Sequence, residues 1–441
     1  MNVPLVRRSS FVTFDGSVAL TTDHQRPDRY RHLEIDFGRK PRIARGGGYS
    51  YAAASFGKGV LVQELGAFDR ILAFGPGPRV RVEAGITLDK LVEFAHARQT
   101  SFPVLPGYPY ITVGGCIAAD VHGKNPERDG TFCDWVEALT LYHPDKGFAT
   151  LTRATTPDLF EATCGGIGLT GLIVDATLRL QPLPALSVLV ERAPVRSLAE
   201  AADAIAIKVD HDFAYSWHDG SMRGSSFGRG ILFSGSWRAD PELPRPRPYR
   251  IMRADERALL PFSIWTRSTV RIASAAFRLV SALRTKQVEH VANAAFPLAR
   301  QTLYHRLYGR RGLAEAQLLV PEQAFSAFET AVAGLVQRCD PTLVFLSVKR
   351  FRGQQKACSL TGSGILVALD LARNGKSEKF LDELDAITLD LGAQPNVLKD
   401  SRLSSRVAAR TLPHYCAFGR SLARHDADRL YQSETSRRLG L

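Results

Sequence analysis

The chain is poor in sulfur and short of acid. Its 441 residues include six cysteines and three methionines. Cys116, Cys133, Cys164, Cys339, Cys358 and Cys416 are scattered, no two are spaced as CxxC, and no histidine stands at ligand spacing from them. That excludes a zinc site and a disulfide framework, and no other metal set is expected. Isolated cysteines suit a reducing compartment, where they behave as small buried hydrophobes. No run of 18 apolar residues exists, so no segment reads as a bilayer-spanning helix. The first fourteen residues carry Arg7 and Arg8 but no apolar stretch, which argues against a secretory leader. Repeats and low-complexity tracts are missing too. Acidic residues are in deficit: 44 Asp and Glu stand against 57 Lys and Arg, a net charge of +13. The surplus favours anionic partners, whether nucleic acid, phosphorylated metabolites or an acidic membrane surface, and does not choose among them.

What is present is ordinary globular material. Apolar residues make up 45% and charged residues 23%, which excludes a disordered chain or a fibre, and the length predicts two or three domains. The N-terminal third alternates short strands, turns and helices. Strands are predicted at 41–44, 79–83 and 136–142, and a long one at 171–183. Thr87 should cap a helix over 88–99, with Leu88, Leu91, Val92 and Ala95 on one face. Residues 101–110 carry three prolines and a glycine and read as a constrained loop. Pro157 suits the first turn of a second helix, where its missing N–H is no loss. Pro182 and Pro184 mark a boundary. Beyond it, 197–209 reads as an amphipathic helix and 223–248, rich in Gly, Arg and Pro, as surface loops. Helices follow at 321–337 and 378–391, and strands at 344–351 and 364–371. The fold class is α+β, with a first domain over 1–184 and a second over 185–395.

Three glycine-rich stretches invite a functional reading. Gly166-Ile167-Gly168-Leu169-Thr170-Gly171 matches GxGxxG, but a helix precedes it and a strand follows. A dinucleotide fingerprint needs the reverse order, so the pattern reads as a glycine turn into a strand. Arg45-Gly46-Gly47-Gly48-Tyr49-Ser50-Tyr51 could converge backbone N–H groups on an anion, or be a plain tight turn. Pro106-Gly107, Thr112-Val113-Gly114-Gly115 and Ala118-Ala119-Asp120-Val121-His122-Gly123-Lys124-Asn125 suggest close approach of backbone to a flat ligand.

The order and spacing of ARGGGYSY, PVLPG, TVGGCIAADVHGKN, LFEATCGGIGLTGLI and LKDSR resemble the vanillyl-alcohol-oxidase-type flavoproteins. Within them the chain is most similar to the flavin subunits of decaprenylphosphoryl-β-D-ribose 2′-epimerases. The likeness is strong over 42–182, traceable through Gln317, Lys349 and Lys399, and faint over 210–311. It implies an FAD domain of two α+β lobes, a substrate domain, and a C-terminal segment, 396–441, packing back on the flavin site. The pyrophosphate would lie on Arg45, Gly46, Gly47, Gly48, Tyr49, Ser50 and Tyr51. Gly107, Thr112, Val113, Gly114, Gly115 and Ala119 would line the other side, with His122 beside substrate or flavin and Ile173 at the adenine end. Many relatives carry at position 49 a histidine that bonds the flavin; Tyr49 implies non-covalent FAD. Lys399, which by itself reads as a solvated charge, is implied to face the flavin and the sugar, with Lys349 and Gln317 as polar pocket residues. Ala368 stands where the mycobacterial proteins have a cysteine two residues before Asp370.

Residues 257–288 contain no acid. On a helical wheel Arg267, Arg271, Ser274, Arg278 and Ser281 share a face, and aliphatic residues cover the rest. This reads either as a helix lying in a membrane interface or as a core-packed helix with a solvated basic stripe. The expected activity is FAD-dependent oxidation of the C2′ hydroxyl of a polyprenylphosphoryl pentose, with a short-chain-dehydrogenase-type reductase completing epimerisation to arabinose. The expected location is cytoplasmic, peripheral to the inner membrane at an anionic surface. The rivals are an aldonolactone or sugar-alcohol oxidase using dioxygen, and a non-catalytic nucleic-acid binder. The second is weak, because the arginines interleave with aliphatic rather than aromatic residues.

Overall fold

The structure, a computed structural model, describes residues 6–237, 260–297 and 304–441. It is α+β. The first lobe is a four-stranded sheet: a hairpin of Arg7–Val12 and Ala19–Gln25, then Leu61–Glu64 and Arg42–Arg45 in parallel. The hairpin occupies the N-terminal stretch for which no element was expected. The second lobe is a five-stranded antiparallel sheet in the order Ile71–Phe74, Arg79–Glu83, Leu172–Arg179, Val136–His143, Gly147–Thr152. Helices Leu88–His96 and Val113–Ala119 pack on it through Leu88, Leu91, Val92, Val113 and Ile117. The alternation that predicted Arg79–Glu83 holds, with Val80 and Val82 inward and Arg79 and Arg81 outward.

The remaining sheet has eight antiparallel strands in the order Lys286–His290, Ser187–Val195, Gly230–Trp237, Phe213–Asp219, Leu343–Gly353, Gly362–Ala372, Leu313–Val320, Gln394–Pro395. Helices Leu198–Ala206, Phe325–Cys339 and Gly375–Asp390 cover one face. Alternation assigns the residues of Leu313–Val320: Ala314, Ala316 and Leu318 enter the helix-side core, and Glu315 and Gln317 face the flavin lobes.

Two expectations need correction. The 223–248 stretch is not all surface loop, since Gly230–Trp237 is an interior strand; its remainder from residue 238 lies outside the described residues, as does Arg257. The glycines there serve packing. A Cβ on Gly230 would meet the Trp217 carbonyl at 2.1 Å, and one on Gly235 would meet the Phe213 ring at 2.4 Å. The basic helix, Arg267–Leu283, is turned the other way from a core-packed helix with a solvated stripe. Part of its arginine–serine face points inward: Ser274 and Ser281 are buried beside Val270, Arg278 pairs with the fully buried Asp219, and Arg267 lies 3.4 Å from Asp340, while Arg271 stays exposed. Ile272, Leu279 and Leu283 face outward, 70%, 64% and 78% exposed.

Candidate active site

One cavity of about 940 Å³ runs between the two lobes and the inner face of the eight-stranded sheet. Its lining includes Arg45 to Tyr51, Gly107, Thr112, Gly114, Gly115, Ala119, His122, Ile173, Gln317, Lys349 and Lys399. Every expected site residue except Val113 is therefore brought to one wall or another. Val113 is buried beneath, in the second-lobe core, and contributes the start of a helix rather than a surface.

The cradle at the lobe end is shaped by missing side chains. A Cβ on Gly46 would meet Thr112 Oγ1 at 2.2 Å, and one on Gly47 would meet the Tyr110 carbonyl at 2.8 Å. Gly114 lies against Ala84. Gly48 has φ +77°, a left-handed conformation that disfavours a side chain. Two backbone runs thereby approach each other closely at the cavity wall. Arg45 supports this loop from below: its guanidinium donates to Ser55 Oγ at 2.8 Å and stacks over the Phe11 ring at 4.9 Å. Burial lowers its pKa below the ordinary arginine value. The GxGxxG run behaves as its context predicted. It follows the Pro157–Thr163 helix and leads into the Leu172–Arg179 strand, with Gly168 and Gly171 on the cavity wall. A flat ligand with a pyrophosphate fits such a cradle.

The opposite wall is polar. His122 stands in the His122-Gly123-Lys124-Asn125 turn, pinned by Asn125 Nδ2 donating to the Val209 and His211 carbonyls at 2.8 and 2.6 Å. His122 Nδ1 lies 3.1 Å from the Gly123 carbonyl and Nε2 3.3 Å from Gln317 Oε1. Burial, then the charge of Lys349, pushes its pKa down to about 3, so at neutral pH it is an uncharged hydrogen-bonding residue. Asn396 Nδ2 donates to the same Gln317 oxygen at 2.7 Å. Lys349 Nζ donates to the Gly123 carbonyl at 3.1 Å, and burial, then Lys399, pushes its pKa down to about 8. Lys399 bonds Glu315 Oε2 at 3.2 Å and lies 4.1 Å over the Tyr51 ring.

Sequence reasoning missed several lining groups. Glu315 and Asp370 stand beside Lys399 but carry no motif. Tyr304 and His305 come from the stretch where the family likeness fades. Lys124 lies inside the HGKN motif yet was not singled out; its ammonium bonds the Ala295 carbonyl, and burial holds its pKa well below the ordinary lysine value. Beyond this polar region the cavity is aromatic. Phe213, Tyr215, Trp217 and Phe233 line it together with Ala273, Ser274 and Phe277 of the basic helix. Trp217 and Phe277 meet edge to face at 4.7 Å.

Comparison with known proteins agrees with this geometry. Residues 38–148 match the FAD binding domain family. The chain is 29% identical to the decaprenylphosphoryl-β-D-ribose oxidase of Mycolicibacterium smegmatis, over 97% of this chain and 95% of that protein. Shorter matches include a D-lactate dehydrogenase of Anaerostipes hadrus, 29% identical over 30% of this chain and 29% of its own length. Another is a probable L-gulonolactone oxidase of Arabidopsis thaliana, 31% identical over 30% of this chain and 23% of its own length. The chain carries an FAD-binding domain and is an FAD-dependent oxidoreductase.

Proposed function

We propose that this FAD-dependent oxidoreductase oxidises the C2′ hydroxyl of a polyprenylphosphoryl pentose to the ketone. This would be the first half of an epimerisation that a separate short-chain-dehydrogenase-type reductase completes. The observation that carries the reading is the shape of the cavity. A hydroxyl-binding polar wall is continuous with an aromatic section beneath a helix whose outer face is apolar. A small sugar acid or lactone would use only the polar part. The full-length likeness to the decaprenylphosphoryl-ribose oxidase supports the same choice, since the gulonolactone oxidase and lactate dehydrogenase likenesses cover under a third of the chain.

Bound FAD supplies the hydride acceptor. The chain's own residues do the rest. Arg45 to Ser50 and Thr112 to Gly115 hold the dinucleotide without a covalent bond. Gln317, held by Asn396 and His122, presents its amide to the sugar hydroxyls. The Lys399 ammonium stabilises negative charge developing at the reacting centre, an effect strengthened by a water-poor surrounding. Among the described residues no carboxylate is within ion-pair distance of Lys124 or Lys349, so both suit the phosphoryl anion. The aromatic section takes the first prenyl units, and the apolar outer face of Arg267–Leu283 rests on the inner-membrane surface where such a lipid resides.

The test is anaerobic bleaching of the flavin by a panel of compounds. A short-chain polyprenylphosphoryl ribose should reduce it, while free ribose, L-gulonolactone and D-lactate should act far more slowly. Faster bleaching by the lactone would transfer the assignment to an aldonolactone oxidase.

A further inference from the structure

We propose that Glu315 and Asp370 share one proton and together seat the Lys399 ammonium, making the carboxyl pair a positioning device for the reaction. The inference rests on the flavoenzyme reading only for placing Lys399 at the reacting centre, not for the identity of the sugar. Glu315 and Asp370 are register partners on the adjacent strands Leu313–Val320 and Gly362–Ala372. That puts their side chains on one face, with β-carbons about 5 Å apart. They are 7% and 6% exposed, and both line the cavity. Glu315 accepts from Lys399 at 3.2 Å. Asp370 Oδ2 accepts from the Tyr304 hydroxyl at 2.5 Å, and that hydroxyl lies 2.8 Å from the Tyr308 hydroxyl. Tyr51 packs against Glu315 from the first lobe, beneath the Lys399 ammonium.

The groups facing the pair are thus three phenols and one ammonium, with Lys349 farther off. One cation stands against two carboxyls. Two ionised carboxylates at this separation in a buried site are strongly disfavoured, so one proton is retained. Burial, then the charge of Glu315, pushes Asp370 up to about 8. Protonated Asp370 donates to Glu315 and still accepts from Tyr304 on its other oxygen. The pair then carries one negative charge, which Lys399 balances. As the pH rises through about 8 Asp370 ionises, the second charge draws Lys399 toward the strands, and turnover falls.

The experiment is the pH dependence of flavin reduction in the holoenzyme, paired with infrared difference spectra taken between about pH 6 and pH 10 without substrate. Asp370→Asn fixes the protonated form. Whatever its rate at neutral pH, the variant should lose the alkaline fall, so that its rates at about pH 7 and pH 9 become equal. Glu315→Gln removes the seat and should lower turnover by at least about tenfold, short of the 10²–10³ expected for losing the stabilising charge itself. The wild-type infrared spectrum should show a carboxyl losing its proton near pH 8. That signal should be missing from Asp370→Asn, and in Glu315→Gln it should move to lower pH because the like charge is gone. Asp120, another buried carboxyl pushed up to about 7, stays constant across the series. An alkaline fall that persists in Asp370→Asn belongs to Lys349 and overturns the proposal. So does a wild-type spectrum without the Asp370 signal, even where the pentose substrate is oxidised normally. Should Asp370→Asn not fold, wild type and Glu315→Gln decide by infrared alone. The infrared arm uses no substrate, so an error in the sugar leaves it readable.

Discussion

At the residue scale, the functional reading depends most on Lys399. It stands in a loop after the last strand of the eight-stranded sheet, and Glu315 and the Tyr51 ring fix it over the cavity. Lys399→Ala should retain FAD, because the cradle is built by other segments, and lose about 10²–10³ in the rate of flavin reduction. Near-normal reduction would remove it from the reacting centre. Tyr49 carries a second expectation. Its ring packs at 4.8 Å from Tyr108 and 5.4 Å from Phe14, and it offers no imidazole for a flavin bond. Acid precipitation should therefore leave all flavin in the supernatant, and yellow pellet would contradict this. The glycine cradle was legible in the sequence because glycine at a contact of 2–3 Å admits no substitute. Glu315 and Asp370 were not, since a lone acid in a strand looks alike whether it faces solvent or a cavity. Only the register between two strands 55 residues apart in number, 370 against 315, brings them together.

At the scale of elements, the Arg267–Leu283 helix shows how a wheel can identify faces yet leave their orientation open. The two faces were only partly separated, since Val270 and Phe277 turn inward and Arg271 outward; which side met the protein depended on Asp219, which is fully buried and needs a cation. Arg278 supplies it. Arg278→Glu should therefore act on folding rather than on any surface, costing about 3 kcal/mol at most because Arg278 is 31% exposed. A denaturant midpoint unchanged by this substitution would show the pair to be unimportant. The interfacial role is tested on the other face. Ile272→Ser, Leu279→Ser and Leu283→Ser combined remove three outward aliphatic side chains, each worth about 1.5–3 kcal/mol when fully buried, so even partial burial in lipid is measurable. The triple variant should sediment less with anionic vesicles and slow on a long-chain substrate while keeping its rate on a short-chain one. Equal vesicle binding would show that this face serves something other than a membrane. Strands such as Gly230–Trp237 escaped sequence reasoning for a related reason: glycine signals a turn by default, and its packing use is visible only once the neighbouring strand is in place.

At the scale of the molecule, the flavin site is closed by the chain's two ends. Phe11, Ile43, Phe56 and Val62 of the first lobe share a core with Val397, Val407, Phe418 and Leu422 from beyond the last strand. Leu430 and Tyr431 extend the contact: Arg42 N donates to the Leu430 carbonyl at 2.7 Å, and Gln432 N to the Arg42 carbonyl at 3.0 Å. The segment that carries Lys399 is thereby continuous with the one that completes the core beneath the Arg45–Tyr51 loop. The expectation is that cofactor binding and the placement of Lys399 are coupled through this packing. Phe418 is 1% exposed and touches neither cavity nor lysine, so Phe418→Ala is a test of that coupling. A buried phenylalanine truncated to alanine costs about 3–5 kcal/mol, and here the loss falls on the lobe that holds the pyrophosphate. FAD bound only by the folded state would offset part of it by mass action, so the defect should be larger without added FAD than with it. The measurement is the unfolding midpoint of the variant at several FAD concentrations, alongside the FAD dissociation constant. If the midpoint drops while FAD affinity stays at the wild-type value, the C-terminal segment supports the fold without shaping the cradle, and the coupling does not exist.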